Sequence, residues 1–304
     1  MTESPAHRSG FVAVIGPANV GKSTLLNAVL RQKVAGVSPW PQTTRRRQLG
    51  ILTLPEAQVI FMDTPGLHQP RNRLGHAMVR VAEETLSRAD LILYLADLEH
   101  ALTEGERALA IWTAERIRGK PVLLVMTKAD AIGEGAWRER AVELQAFFPD
   151  SEYLHISALR AEGLEELLRR IIAFLPEGPV LYPEEDITDL SEREIAADLI
   201  HEAALRHLRA EIPHGIVVRI DDYQERGEKG AYIEATVFVE RESHKAIVIG
   251  KSGSMLKTIG ADGRQQIETM SGRKVYLHLR VKTMPGWRDR EESLRHLGYL
   301  PEEK

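Results

Sequence analysis

Short apolar runs alternate with amphipathic stretches through the first half of the chain. Phe11–Ile15 stops at Gly16 and predicts a buried strand, and Lys22–Leu30 follows with Leu25, Leu26 and Val29 at helical spacing. Gln58–Met62, Leu91–Ala96, Pro121–Thr127 and Tyr153–Ile156 are further apolar runs bounded by polar residues, hence strands. Leu74–Ser87, Thr103–Arg118, Ala136–Phe148 and Leu164–Leu175 carry the helical period between or after them. Strands alternating with helices predict a parallel sheet covered by helices on both faces.

Pro176-Glu177-Gly178-Pro179 interrupts this alternation and leads into an acidic, turn-rich stretch at Tyr182–Asp186. The pattern then changes. A helix is expected over Ser191–Glu211, capped by Ser191 with Glu194 three residues on. Strands follow at Ile216–Ile220 and Ala231–Glu240, a short amphipathic helix at His244–Ile249 and a longer helix at Ser254–Met270. Lys274–Lys282 alternates Val275, Leu277, Leu279 and Val281, as a half-buried strand does. The expected organisation is one domain over 1–178, a linker over 179–190 and a second domain over 191–304 with its C-terminal tail.

Composition narrows the classes. The chain has 304 residues, 43% hydrophobic and 28% charged, an ordinary globular balance. It has no cysteine, which excludes disulfide frameworks, thiolate metal sites and a cysteine nucleophile. Its apolar runs are far shorter than a membrane span needs, and MTESPAHRSG lacks the apolar core of a signal peptide, so a cytoplasmic protein is expected. The net charge of −4 hides a pattern. Residues 1–180 balance at zero, whereas 242–290 carry 10 basic and 4 acidic residues, a net of +6. By itself such a segment is better explained by a solvated helix face.

The chemistry begins where the first strand ends. Gly16-Pro17-Ala18-Asn19-Val20-Gly21-Lys22-Ser23, followed by Thr24, fits G-x-x-x-x-G-K-S/T between a strand and a helix. The glycines let the backbone curl so that its N–H groups face phosphate oxygens. Lys22 can then reach the β- and γ-phosphates, and Ser23 can ligate Mg²⁺. Asp63-Thr64-Pro65-Gly66, at the end of another strand, offers a carboxylate to the Mg²⁺ shell and the Gly66 N–H to a γ-phosphate. Thr127-Lys128-Ala129-Asp130 supplies a carboxylate that can accept from guanine N1–H and the 2-amino group, donors that adenine lacks. Ser157-Ala158 can turn a backbone N–H to guanine O6. All four elements lie at carboxyl ends of expected strands, where open α/β sheets bind ligands.

In the basic segment, Ile249-Gly250-Lys251-Ser252-Gly253 holds a G-x-x-G turn between two helices, with Lys257 about a turn further on. Such a turn alone is weak, since a plain helix–helix connection has the same look. In an α-β-β-α-α-β order it resembles a type II KH domain, whose loop clamps RNA through the backbone. Trp287 is better read as a core anchor than as a base-stacking residue.

These motifs, with Pro41-Gln42-Thr43-Thr44-Arg45 and the run Asp63–His68, resemble the Era family of bacterial GTPases over nearly the whole chain. The resemblance implies an α/β P-loop GTPase domain with a mostly parallel doubly wound sheet, followed by the α+β KH domain. It implies GTP hydrolysis with Mg²⁺ held by Ser23, Asp63 and Thr44, Thr43 being the lesser candidate. It implies binding to the 3′ end of small-subunit ribosomal RNA during 30S assembly, and peripheral association with the cytoplasmic membrane. A monomer is expected. Two departures stand out. Thr127 replaces the family's usual Asn, and a hydroxyl makes fewer bonds than an amide. Leu67 stands where Ras-like enzymes place a water-orienting Gln, so intrinsic hydrolysis is expected to be slow. The family implies a K⁺ ion beside Asn19 that would assist, against a reading in which Asn19 bonds only within its own loop. Two other classes stay open on sequence: an RNA-binding module that senses GTP with negligible turnover, and a P-loop ATPase or kinase with an RNA-binding appendage.

Overall fold

The structure is a computed structural model that describes residues 7–301, apart from 39, 41–44, 67–69, 71, 98, 100, 118, 132–135, 210, 211, 228 and 229. Thr43, Thr44 and Leu67 therefore lie outside the described residues. The chain divides into two units: Met1–Gln32, Thr44–Arg71 and Met78–Asp189 form the first, and Lys33–Thr43, Asn72–Ala77 and Leu190–Lys304 the second.

The first unit is built on β1 (Arg8–Ile15), α1 (Lys22–Leu30), β2 (Gln48–Thr53), β3 (Ala57–Asp63), α2 (Arg73–Arg88), β4 (Leu91–Asp97), α3 (Glu104–Arg116), β5 (Val122–Thr127), α4 (Ala136–Gln145), β6 (Glu152–His155) and α5 (Leu164–Phe174). The sheet runs β2-β3-β1-β4-β5-β6. It is parallel except for β2, which pairs antiparallel with β3. Period-two alternation sends buried side chains to both faces. Ala13, Ile15, Ile92, Tyr94 and Met126 join a core with Ala82 and Leu86 of α2, Leu109 of α3 and Leu144 of α4. Val12, Val14, Leu93 and Val125 alternate with them and are buried too, as are Leu25 and Leu26 of α1 and Leu167 and Ile171 of α5.

The apolar pattern does not announce β2, because Gly50 interrupts it. That glycine is required: a Cβ there would lie 2.3 Å from Leu26 Cδ1, so its absence lets α1 lie on the strand. The outer edge of β2 would expose unpaired amides. The segment expected to be a linker covers it: Ile51 N–H donates to Ile187 O (2.9 Å) and Leu49 N–H to Asp189 Oδ1 (2.9 Å). Buried Gln58 completes the attachment by accepting from Leu181 and Tyr182 N–H and donating to Tyr182 O.

The second unit contains α6 (Glu192–His207), β7 (Val217–Glu225), β8 (Ala231–Val239), α7 (Glu242–Ile249), α8 (Ser254–Ser271), β9 (Val275–Thr283) and α9 (Glu291–His296). The expected capping box is formed: Ser191 accepts from Glu194 N–H while Glu194 accepts from Ser191 N–H. The sheet order is β7-β8-β9, with β7 antiparallel and β9 parallel to β8. Its inner face packs Ile233, Ala235 and Val237 against Leu199, Ile200 and Ala203 of α6 and Ile259 and Ile267 of α8. Glu202 of α6 is a fully buried carboxylate, and an unpaired one would be strongly destabilising. Lys33 (2.8 Å), Arg206 and the N–H of Val37 (3.0 Å) satisfy it. Trp287 is a core anchor, fully buried with its indole N–H donating to Gly215 O at 3.0 Å.

Candidate functional site

The first candidate site forms at the C-terminal ends of β1, β3, β4 and β5. Two backbone demands shape it. A Cβ on Gly16 would lie 2.7 Å from Leu95 O, so only glycine lets β1 turn this close to β4. Gly21 sits at φ 102°, the left-handed region that glycine enters without strain, and Leu25 N–H returns to its carbonyl at 2.8 Å. α1 then starts at Lys22 with no acidic residue in its first turn. Its positive dipole end is left to an external anion.

Lys22 is folded back into this loop. Its Nζ donates to Gly16 O (2.9 Å) and Pro17 O (2.7 Å), and the side chain is buried. Burial pushes its pKa down from 10.5 to about 8, opposed in part by the Asp63 carboxylate. Ser23 Oγ donates to Asp63 Oδ2 at 3.0 Å. Two hard oxygens are thus held side by side next to the phosphate cradle, a donor set that suits Mg²⁺. Among the described residues no three His, Cys, Asp or Glu side chains gather to hold a metal by themselves. Thr64 is buried and donates to Val14 O (2.7 Å), fixing the turn after β3. Gly66 approaches the loop so closely that a Cβ would lie 3.0 Å from Ala18 Cα. The expected phosphate-loop residues and Asp63–Gly66 therefore meet.

The base-reading elements meet as well. Thr127 ends β5, and its hydroxyl lies 2.7 Å from Val20 O and 3.2 Å from Ala96 O, so it ties the phosphate loop to β5. Lys128 adopts φ 59° and its ammonium reaches Asp97 (2.5 Å) and Glu99 (2.7 Å). Burial works to lower its pKa, but those two hydrogen bonds outweigh it and the pKa is raised. Asp130 is half-buried, and its pKa is lowered chiefly by a hydrogen bond from Ser157 and secondarily by its own backbone N–H. It is a carboxylate at neutral pH, with acceptor capacity for two donors. Ala129 N–H donates to Ile156 O (3.1 Å), which brings Ser157-Ala158 beside Asp130. Sequence reasoning gave Ser157 only a backbone role and missed Asp97 and Glu99. Their one sequence cue is that Asp97 ends the apolar run of β4.

The second candidate site lies in the second unit, between α7 and α8. Gly250 (φ 72°), Ser252 (φ 53°) and Gly253 (φ 77°) all have left-handed φ values, and the turn is closed by Gly250 N–H donating to Ala246 O (2.9 Å) and Gly253 N–H to Gly250 O (3.2 Å). A Cβ on Gly250 would lie 2.8 Å from Met255 N. Lys251, Ser252 and Lys257 are exposed, and Ile249 is half-buried beside them.

Comparison with known proteins finds relatives of both units. Residues 11–128 match the family model of the 50S ribosome-binding GTPases, and residues 211–288 match that of the KH domain. The chain is 44% identical over 295 residues to the GTPase Era of Caldanaerobacter subterraneus subsp. tengcongensis, covering 97% of this chain and 98% of that one. It is 42% identical over 300 residues to the GTPase Era of Geobacter metallireducens, covering 98% and 100%. A crystal structure of Era in complex with MgGDPNP and nucleotides 1506–1542 of 16S ribosomal RNA matches with a TM-score of 0.90 at 40% identity, over 96% of this chain and 99% of that one. An Aquifex aeolicus Era variant bound to GDP·AlF4⁻ matches with the same TM-score at 41% identity and the same coverage.

The buried lysine gives a pH prediction. Lys22 is half protonated near pH 8 without ligand, and phosphates beside it raise its pKa, so binding takes up protons there. Affinity is fully present below pH 8 and falls above it, by at most about tenfold per pH unit. Calorimetric titration with Mg²⁺–GDP at pH 8, in two buffers of different ionisation enthalpy, is expected to show uptake of roughly half a proton. Identical binding enthalpies in the two buffers would contradict the assignment.

Proposed function

We propose, for a chain that belongs to the Era family of GTPases, a GTP-hydrolysing switch that binds the 3′ end of small-subunit ribosomal RNA and acts in assembly of the 30S subunit. One observation carries the nucleotide half. Lys22, Asp63, Gly66 and Thr127 come from separated stretches of sequence, yet the contacts Lys22–Gly16, Ser23–Asp63, Gly66–Ala18 and Thr127–Val20 bring them together, with Asp130 three residues beyond Thr127, which supports this reading. Membership of a GTPase family favours turnover over sensing alone, and Asp130 favours guanine over adenine.

Each residue has a task in that reading. The Lys22 ammonium leaves the Gly16 and Pro17 carbonyls for the β- and γ-phosphates, where it offsets negative charge as it builds on the leaving group. The curled backbone of 16–21 donates N–H groups to the same oxygens. Ser23 and Asp63, with Thr44 as the third proposed ligand, would hold Mg²⁺, which neutralises phosphate charge when bound. Gly66 offers its N–H to the γ-phosphate. Asp130 accepts from guanine N1–H and the 2-amino group, and the Ala158 N–H faces O6. Thr127 supports this arrangement from behind: its hydroxyl bonds to Val20 O, which is why Thr serves where the family usually has Asn.

Leu67 brings no polar group to the attacking water, so slow intrinsic hydrolysis is proposed. Asn19 sits at φ 61°, a conformation that Asn tolerates better than most residues, and it is proposed to hold K⁺ beside the phosphates. The RNA half rests on Gly250–Gly253 with Lys251 and Lys257. Among the described residues no helix is long and apolar enough to cross a membrane. A cytoplasmic protein that touches the membrane only at its surface is the proposal, on family resemblance alone.

Three outcomes test this reading. Asp130→Asn is expected to weaken GTP binding at least tenfold, since it places an amide donor against a donor edge, and to raise affinity for xanthosine triphosphate, as equilibrium binding of both nucleotides will show. Replacing K⁺ with Na⁺ at constant ionic strength is expected to lower phosphate release; equal rates with an innocuous Asn19→Ala would remove the K⁺ role. Lys251→Asp is expected to weaken binding of single-stranded RNA from the 16S 3′ end while leaving GTP affinity intact, with a salt slope smaller by about one. Unchanged RNA affinity in this variant would place the RNA elsewhere.

A further inference from the structure

We propose that the exposed β9 side of the outer face of the three-stranded sheet in the second unit, where Tyr276, His278, Arg280 and Lys282 are exposed while Thr236 and Phe238 of β8 are buried, is a second contact for single-stranded RNA, apart from the Gly250–Gly253 loop. The inference rests on the RNA-binding reading above. Strand register fixes what this face carries: Tyr232 beside Tyr276, Glu234 beside His278, Thr236 beside Arg280 and Phe238 beside Lys282. The alternate residues Ile233, Ala235 and Val237 belong to the core with α6 and α8, so these four rows form the opposite face.

Tyr276 is 63% exposed. Its ring stacks on Tyr232 with centroids 5.4 Å apart and planes 9° from parallel, and the Arg226 guanidinium lies 5.0 Å over the Tyr232 ring. A cross-strand tyrosine pair stabilises a sheet by itself. That role does not account for what lies further along the strand. A cavity of about 460 Å³ is lined there by Arg193, Arg219, Ile220, Asp221, Arg280 and Lys282, four cations against one carboxylate. The acids nearby are already engaged. Asp221 accepts from Arg219 and from the Thr236 hydroxyl (2.5 Å). Glu234 accepts from the Tyr232 hydroxyl (2.5 Å) and pairs with Arg280 at 3.0 Å. Arg193 is held to the carbonyl of Ile220 (2.6 Å), where β7 bulges between Ile220 and Asp222.

An exposed, backed aromatic ring beside a cationic hollow is the pairing that single strands use: bases stack and phosphates meet positive charge. A duplex has no free base face to stack. At a rise of about 3.3 Å per residue, Tyr276 and Arg280 lie roughly 13 Å apart along β9, so one extended strand spans ring and hollow. The G-x-x-G loop clamps about four nucleotides, so the sheet face is expected to act only on longer RNA.

The test uses the full chain and two fluorescein-labelled single-stranded RNAs from the 16S 3′ end, about 4 and about 12 nucleotides long. Binding is measured by anisotropy for the parent, Tyr276→Ala, Tyr276→Phe, Lys282→Glu and Lys251→Asp, each checked for folding by circular dichroism. Tyr276→Ala and Lys282→Glu are expected to weaken the longer RNA about tenfold and leave the shorter one unchanged, with Tyr276→Phe restoring most of the affinity. Lys251→Asp is expected to weaken both. If Tyr276→Ala and Lys282→Glu bind the longer RNA as tightly as the parent, the sheet-face site is wrong and the loop reading stands. If Lys251→Asp has no effect but the sheet variants do, the loop reading fails and the sheet-face site stands. A Tyr276→Ala variant that shifts a self-association equilibrium in sedimentation without changing RNA affinity would make this face an interface between copies and overturn the proposal.

Discussion

A buried ammonium group governs the first unit. Lys22 is drawn out of water by the turn from β1 into α1, and two backbone carbonyls, Gly16 O and Pro17 O, accept hydrogen bonds from its ammonium. Carbonyls compensate a buried charge only in part, which is why its pKa falls to about 8. In the proposed function an incoming polyphosphate supplies the missing negative charge at the N-terminus of α1, the positive end of its dipole. Gly16 at the close approach to Leu95, Gly21 at positive φ and Ser23 against Asp63 are consequences of building that pocket at a strand end.

The elements proposed to read guanine are tied to the same loop. The Thr127 hydroxyl reaches Val20 O, so the end of β5 is placed by the phosphate loop itself. Lys128 is pinned by Asp97 and Glu99, and Asp130 by Ser157. Phosphate cradle and base edge are therefore parts of one hydrogen-bonded frame.

Much of this was legible in the chain before any coordinates. The apolar runs predict β3, β4, β5 and β6 within a residue and β1 with its start three residues late; β3, β4 and β5 are legible because strands buried on both faces are nearly continuous in apolar residues, whereas β6 is largely exposed. Ser191 with Glu194 predicts its capping box, a purely local signal. What the pattern hides has physical reasons. β2 is broken by Gly50, whose purpose is the space for Leu26, a tertiary fact. The stretch 179–189 reads as a linker from its prolines and acids, yet Gln58 and the open edge of β2 bind its backbone. Asp97, Glu99 and the Ser157 hydroxyl carry no spacing signature, since they reach Lys128 and Asp130 only after the strands are side by side. The stacked Tyr232–Tyr276 pair is likewise a product of register, not of sequence proximity.

The central claim is that one preorganised pocket binds guanine nucleotides through Lys22 at the phosphates and Asp130 at the base. The most direct measurement is competition at equilibrium: a fluorescent guanine nucleotide bound to the full chain with Mg²⁺, titrated with GTP and, separately, with ATP. GTP is predicted to displace the probe, with ATP at least a hundredfold weaker because adenine offers Asp130 no pair of donors and leaves it unpaired. Displacement by ATP at the same concentrations as GTP would contradict the account.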